Sequence, residues 1–239
     1  MGKQLKKALL IFAKCPLPGM VKTRLVPPLS PEQAADLYRC MLYDVMAKVA
    51  PLPDLARFLF YEEGGTAREY FARSSLGLTS LPQQGKDLGE RMAEALRTVF
   101  AMGHSAAVVI GTDSPDIPIS FIETAFDRLE RGKGTAVFGP TEDGGYYLAG
   151  MTRLYRELFR DIPWSSAAVM QETLKRAVEA GIAVSLLPVW HDVDTAADLD
   201  RPELSDEGNG APLTREFIAN WRKTCSNPEK EEHLPKKDG

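Results

Sequence analysis

The chain has 239 residues, of which 44% are hydrophobic and 26% charged, and its net charge is −4. Those values describe a globular chain with enough apolar material for one large core, and they exclude a disordered or fibrous polymer. They also exclude polyanion binding through bulk positive charge as the main activity, and no apolar run is long enough to span a bilayer.

The N-terminal stretch MGKQLKKALLIFAK has a cationic start but no small-residue cleavage site, so 8–13 (ALLIFA) reads as a first strand and not as a signal segment. A loop of unusual composition follows, AKCPLPGMVKTRL at 13–25, in which Pro16, Pro18 and Gly19 stiffen the chain among Lys14, Lys22 and Arg24. Three cations on such a loop suit a di- or triphosphate, although the spacing is neither that of a Walker A loop nor GxGxxG. Ser30, Pro31 and Gln33 predict an N-cap, a first-turn proline and a capping-box partner. From there Leu37, Tyr38, Met41, Leu42, Val45, Met46 and Val49 recur at helical spacing. A second strand is expected at 56–61. QQGKDLGERM at 83–92 then leads into a helix over 88–102, whose N-terminus would favour an anionic ligand.

The run 106–111 (AAVVIG) is continuously apolar, as in a parallel strand covered on both faces, and it stops abruptly at TDSPDIP. Asp113 and Asp116 follow within a few residues. A carboxylate at the end of a buried strand is costly unless a cation meets it, and a hard divalent ion takes one or two carboxylates plus phosphate oxygens. Asp113 stands closer to the strand end, and Asp116 fits a helix cap before 118–131 equally well. A strand at 135–138 leads to GPTEDGGYYLAG, where Asp143, Gly144 and Gly145 read as a tight turn between two strands. The turn is either a plain hairpin or a place where a ligand approaches the backbone beside two acids. Tyr146, Tyr147 and Trp164 fit either an acceptor platform or the core, with alternation placing Tyr147 in the core. A helix over 165–180 is stopped by Gly181, and the last apolar strand spans 183–189. WHDVDTAADL at 190–199 supplies Asp192 and Asp194 to complete an ion site opposite Asp113. Asp194 is also a possible N-cap, and His191 a ligand or a hydrogen-bonded structural residue. Residues 201–212 read as a loop and 223–239 as a loosely ordered polar tail. Cys15, Cys40 and Cys225 are odd in number and far apart with no CxxC, which points to reduced thiols in a cytoplasmic setting.

Alternating strands and helices predict an α/β single-domain three-layer sandwich with a mostly parallel central sheet, and ligands bind beyond the carboxyl ends of such strands. The segments FAKCPLPGMVKTRL, QGKDLGERM, GTDSPDIP, GPTEDGGYYLAG, PWSS and DVDTAADL, in that order, resemble the DUF2064 proteins. These are glycosyltransferase-like proteins of the nucleotide-diphospho-sugar transferase superfamily, with the GT-A fold. The resemblance implies a GT-A-like domain over 1–222. It places Lys14, Gly19, Lys22 and Arg24 at the nucleotide phosphates and Gln84, Gly85 and Leu88 by the base or ribose. Asp113 would bind a divalent Mg²⁺ or Mn²⁺, with Asp192 or Asp194 as the second carboxylate. Asp143, Gly144, Gly145 and Trp164 would line the donor or acceptor side, and Asp113, Asp143 and Lys22 would carry catalysis. The implied partners are a nucleotide sugar or nucleoside triphosphate and a small-molecule acceptor, not nucleic acid. Glycosyl transfer is the first expectation and nucleotidyl transfer the second, with a non-catalytic nucleotide-binding protein as the outside reading.

Overall fold

The computed structural model describes residues 5–132 and 136–226. Thr135, the expected start of one strand, and residues 227–239 of the polar tail lie outside them. Among the described residues seven strands form one sheet: β1 (Lys7–Ala13), β2 (Leu55–Tyr61), β3 (Thr79–Pro82), β4 (Ala106–Ile110), β5 (Ala136–Pro140), β6 (Tyr146–Met151) and β7 (Val184–Leu186). Their order is β3-β2-β1-β4-β6-β5-β7, and only β6 runs antiparallel to its neighbours. Among the described residues six helices accompany them: α1 (Pro31–Val49), α2 (Ala67–Ser74), α3 (Leu88–Ala101), α4 (Ile119–Glu130), α5 (Val169–Glu179) and α6 (Pro212–Ser226).

The continuous apolar runs do what two-sided burial requires. Leu9 and Ile11 of β1 with Val108 and Ile110 of β4 face α1, α2 and α4, whereas Leu10 and Val109 face α3 and α5. The cap before α1 forms as its residues predict: Ser30 accepts from the Gln33 backbone, and the Gln33 side chain accepts from the Ser30 backbone. A third apolar cluster joins α1 to α6 and the 193–204 segment through Leu37, Met41, Val193, Leu204 and Ile218. Asp44 of α1, nearly fully buried, accepts from the Leu213 and Thr214 backbones at 3.1 and 2.7 Å and so caps α6 from a neighbouring helix. The polar stretch expected from 223 therefore begins as the last turn of α6.

Strand order reverses direction between β1 and β4, since β1 leads outward to β2 on one side and β4 begins the other half. In an open α/β sheet such a switch point leaves a crevice beyond the carboxyl ends of the two central strands. The loops after β1 and β4 are those carrying Lys22 and Asp113.

Candidate functional site

A cleft of about 480 Å³ opens at that switch point, within the range of small-ligand pockets. Its walls bring together Lys14, Lys22, Arg24, Leu88, Asp113 and Asp194, residues that the sequence had singled out from four separate segments. The chain beyond β1 turns sharply, with Lys22 in the left-handed region at φ 48°, and a short 3-10 turn Thr23–Leu25 follows. The Lys22 side chain is only 3% exposed. Its Nζ donates to Asp113 Oδ1 and, at 2.8 Å, to Asp194 Oδ1, while Arg24 Nη1 meets Asp194 Oδ2 at 3.3 Å. Burial works against the Lys22 charge, but the two carboxylates outweigh it and raise its pKa. Asp194 is likewise pushed up by burial, yet the Lys22 and Arg24 charges prevail and hold it below the usual carboxylate range.

The cation that meets Asp113 in this structure is thus an ammonium from the same chain. Asp194, expected as a metal ligand, is committed to Lys22 and Arg24, because it projects to the basic side of the cleft. It is not a helix cap either: Thr195 and Asp198 form that capping box.

Asp192 lies on the other side of Asp113. The two line a side cavity of about 60 Å³ that shares Gly111, Asp113 and Tyr147 with the main cleft. Ser114 Oγ donates to Asp192 Oδ1 at 2.7 Å. Burial first, then the neighbouring charges of Asp113 and Asp143, push the Asp192 carboxyl up to about 7 from an ordinary 3.8. A half-buried carboxyl that holds its proton through burial and then through a neighbouring carboxylate is a donor suited to a hard divalent cation, which would displace that proton. Asp113 and Asp192 fit such an ion; among the described residues no cluster of three or more His, Cys, Asp or Glu side chains does.

The same carboxyl predicts how stability depends on pH. The unfolded chain releases this proton near 3.8, whereas the folded protein keeps it to about 7. The contribution is therefore complete at low pH and is lost as pH rises through that window. Thermal melting of the metal-free protein against pH should show this loss, and Asp192→Asn should remove it.

Several expected site residues lie elsewhere. Gln84 faces a separate small pocket with Leu81 and Glu94, and Gln83 lines the main cleft instead, its Nε2 donating to the Phe60 carbonyl at 2.9 Å. Adjacent residues of an extended chain point to opposite sides, so the phase after β3 decides between them. Gly85, at φ +142°, is required by packing: a Cβ there would come within 2.6 Å of the Arg91 backbone nitrogen. The α3 N-terminus, expected to attract an anion, is already capped by Asp87, which accepts from the Glu90 backbone at 2.8 Å. Gly19 shapes the turn at φ +74° and does not line the cleft.

Asp143, expected in catalysis, folds back on its own turn and accepts from Thr141 Oγ1 at 2.5 Å and the Gly145 backbone at 3.0 Å. Gly144 and Gly145 shape that hairpin between β5 and β6 and do not line the cleft. Gly144 is tight for a structural reason: its φ is +90°, a Cβ would stand 2.1 Å from the Ala167 carbonyl oxygen, and its own carbonyl accepts from the Met170 backbone. Gly144→Ala should cost about 2–4 kcal/mol in a denaturant melt, from overpacking plus the left-handed backbone. Trp164 packs edge-on against Tyr146, ring centroids 6.3 Å apart, and lies against Gly89, leaving Ser165 to line the cleft. Tyr147 is buried as alternation predicted, its hydroxyl donating to the Pro188 carbonyl at 2.9 Å.

Sequence reading missed Glu62 and Arg91, which face each other at 2.7 Å in the wall of the cleft beyond β2. An acid directly after an apolar strand was the signal at Asp113, and Tyr61-Glu62 carries the same one. Tyr38 was read as helix core. It is buried, but its hydroxyl also accepts from the Lys14 backbone at 2.8 Å and from Thr112 Oγ1 at 2.9 Å, joining the two loops of the site.

The family described as an uncharacterized protein conserved in bacteria (DUF2064) matches residues 45–166. A provisionally named nucleotide-diphospho-sugar transferase from Desulfovibrio desulfuricans G20 is 32% identical, superposes with a TM-score of 0.79, and aligns over 91% of this chain and 99% of its own. The 2-phospho-L-lactate guanylyltransferase of Methanothermobacter thermautotrophicus is 28% identical over 85% of this chain and 86% of its own. A cytidylyltransferase from Leptospira borgpetersenii serovar Hardjo-bovis, 11% identical with a TM-score of 0.57 over 98% of this chain and 100% of its own, shares the fold. The architecture is the GT-A-like α/β sandwich that the ordered motifs implied.

Proposed function

The chain belongs to the DUF2064 family, and from that membership we propose that it is an enzyme using a nucleotide-activated donor, which transfers the nucleotidyl group of a nucleoside triphosphate to a phosphorylated small acceptor. The observation that carries this reading is the buried Lys22, held with Arg24 in a cleft that also presents Asp113 and opens beside it into the side cavity of Asp192. Lys14 and Arg91 line the same cleft and share one acid, Glu62, so four cations there face three carboxylates, Glu62, Asp113 and Asp194. A triphosphate, which carries more charge than a nucleotide sugar, makes the fuller use of these cations once it draws them from their carboxylates.

In the proposed step an acceptor phosphate oxygen attacks the α-phosphorus, the bond from that phosphorus to the bridging oxygen breaks, and pyrophosphate leaves with the electron pair. Lys22 and Arg24 face the charge gathering on the leaving group, so positioning and electrostatic stabilisation supply most of the rate. Asp113 and Asp192 would hold Mg²⁺ or Mn²⁺, which when bound neutralises phosphate charge. The base would lie toward Glu62, Gln83 and Leu88, at the end of the cleft away from the carboxylate pair. The likeness to a guanylyltransferase makes GTP the first nucleotide to try.

The name of the Desulfovibrio relative favours a second reading, glycosyl transfer from a nucleotide sugar, which was also the first expectation from the motifs. The deciding experiment sets pyrophosphate release from a panel of nucleoside triphosphates against nucleoside-diphosphate release from nucleotide sugars, each with Mn²⁺ and a pool of phosphorylated and hydroxyl acceptors. Acceptor-dependent pyrophosphate release is the expected result. Diphosphate release alone would replace nucleotidyl by glycosyl transfer, and no stabilisation by any nucleotide in a thermal melt would remove both.

A further inference from the structure

Asp116 takes part in none of the steps above, yet its side chain is fully buried, three positions beyond Asp113, against the residue that precedes Asp192. Burying a carboxylate is costly unless it is fully partnered, and Asp116 is. One oxygen lies 2.8 Å from His191 Nε2, and the other accepts from Trp190 Nε1 at 3.3 Å. The Trp190 and His191 rings stack with centroids 4.8 Å apart, and Trp190 is itself bound to the end of β5 through the Pro140 carbonyl. Asp116 is neither the helix cap nor the metal ligand that its sequence position allowed; Pro118 precedes α4 and makes no side-chain cap.

The consequence is geometric. Asp113 and Asp192 come from loops 79 positions apart in the chain, and the latch joins these loops three residues after the first carboxylate and one residue before the second. Two more bonds close the same frame: the Val193 backbone donates to the Asp113 carbonyl at 2.8 Å, and Ser114 donates to Asp192. From behind, Lys48 of α1 donates to the Pro115 and Ile117 carbonyls at 2.6 and 2.9 Å, holding Asp116 between two braced neighbours. We infer that Asp116 is a positioning residue which, through His191 and Trp190, sets the separation of Asp113 and Asp192 and thereby the affinity of the site for a divalent cation. This rests on the carboxylate pair proposed above. The alternative, a buried pair that serves stability alone, makes a different prediction.

The test compares Asp116→Ala and Asp116→Asn with the parent in the full-length protein. Mn²⁺ binding is followed by electron paramagnetic resonance, the melting temperature is recorded, and amide hydrogen exchange is measured over 111–117 and 190–194. Partners of this outer kind typically change metal affinity 10–100-fold. Asp116→Ala should weaken Mn²⁺ binding by roughly that factor and speed exchange in both segments, with β1 and α1 exchange unchanged. Asp116→Asn can still accept from Trp190 and donate to the neutral His191 ring, so it should stay within about 3-fold of the parent. Parent-like Mn²⁺ affinity in a folded Asp116→Ala variant overturns the inference. An Asn variant as weak as the Ala variant also overturns it, since charge and not position would then be at work. If Asp116→Ala does not fold, His191→Ala takes its place with the same expectations. If the parent binds no Mn²⁺, the carboxylate-pair reading fails separately, and exchange decides the latch: unchanged rates at 190–194 in the Ala variant overturn it.

Discussion

Asp113→Ala should abolish the Mn²⁺-linked rise in melting temperature with nucleotide and lower turnover by roughly 10²–10³-fold, the loss typical when one preorganised electrostatic partner of a transferring phosphoryl group is removed. The fold should survive. The Asp113 side chain is 51% exposed, and the tie that matters to the loop is its backbone carbonyl, which accepts from Val193. Removing the carboxylate also frees Lys22 from one of its two partners, so nucleotide binding in the presence of a chelator should be retained while metal dependence disappears. Thermal melts with and without Mn²⁺, paired with initial rates, distinguish these effects. A variant with the parent's metal-linked stabilisation would show that the ion site lies elsewhere.

Replacing Lys22 should have the opposite signature. Its side chain is 3% exposed and faces two aspartate side chains that are 51% and 41% exposed. Truncating one member of a buried, hydrogen-bonded charge set costs about 2–5 kcal/mol in binding, so Lys22→Met should weaken nucleotide affinity by roughly 30-fold or more. The stability loss should be smaller, about 1–3 kcal/mol, because the partnered carboxylates can turn to water. The more discriminating result concerns the metal. In the free protein Lys22 occupies Asp113, so an incoming divalent ion must compete with the ammonium. Lys22→Met should therefore bind Mn²⁺ more tightly than the parent in the absence of nucleotide, even as it binds nucleotide less well. Calorimetric titration with Mn²⁺ alone and with nucleotide alone measures both. Weakening of both together would place Lys22 in a purely structural role.

The family match takes in only part of the site, Asp113 with Glu62, Leu88 and Arg91. The family match runs over 45–166, whereas Lys22 and Arg24 precede it and Asp192 and Asp194 follow it. The ion pairs that build the basic wall join residues 91 and 172 positions apart, outside the reach of any local pattern.

Local chemistry was enough for much of the architecture. Continuous apolar runs disclosed β1, β2 and β4, because strands covered on both faces cannot carry polar residues. Ser30, Pro31 and Gln33 disclosed the start of α1, because a cap is satisfied within a few residues of itself. Elements held mainly by neighbours left no such trace. β3 (TSLP) is a four-residue edge strand without an apolar run, α2 has eight residues with only Ala67 and Phe71 buried, and α6 takes its cap from Asp44, some 170 residues away. The expected helix over 165–180 starts at Val169, since Ser166 uses its hydroxyl to close a turn on the Pro163 carbonyl.

At the site, residue types and strand ends indicated that acids and cations would gather beyond β1 and β4, and they do. Which acid faced which cation was a matter of packing. Asp113, Asp192 and Asp194 are chemically alike, and only the docking of the 190–194 segment against the 112–117 loop turns Asp194 to Lys22 and leaves Asp192 beside Asp113. The same holds for Gln83 over Gln84 and for Asp116, whose partner is a histidine 75 residues on. Propensity and burial are written residue by residue, whereas partner choice among equivalent charges is settled by distances that exist only once the sheet has assembled.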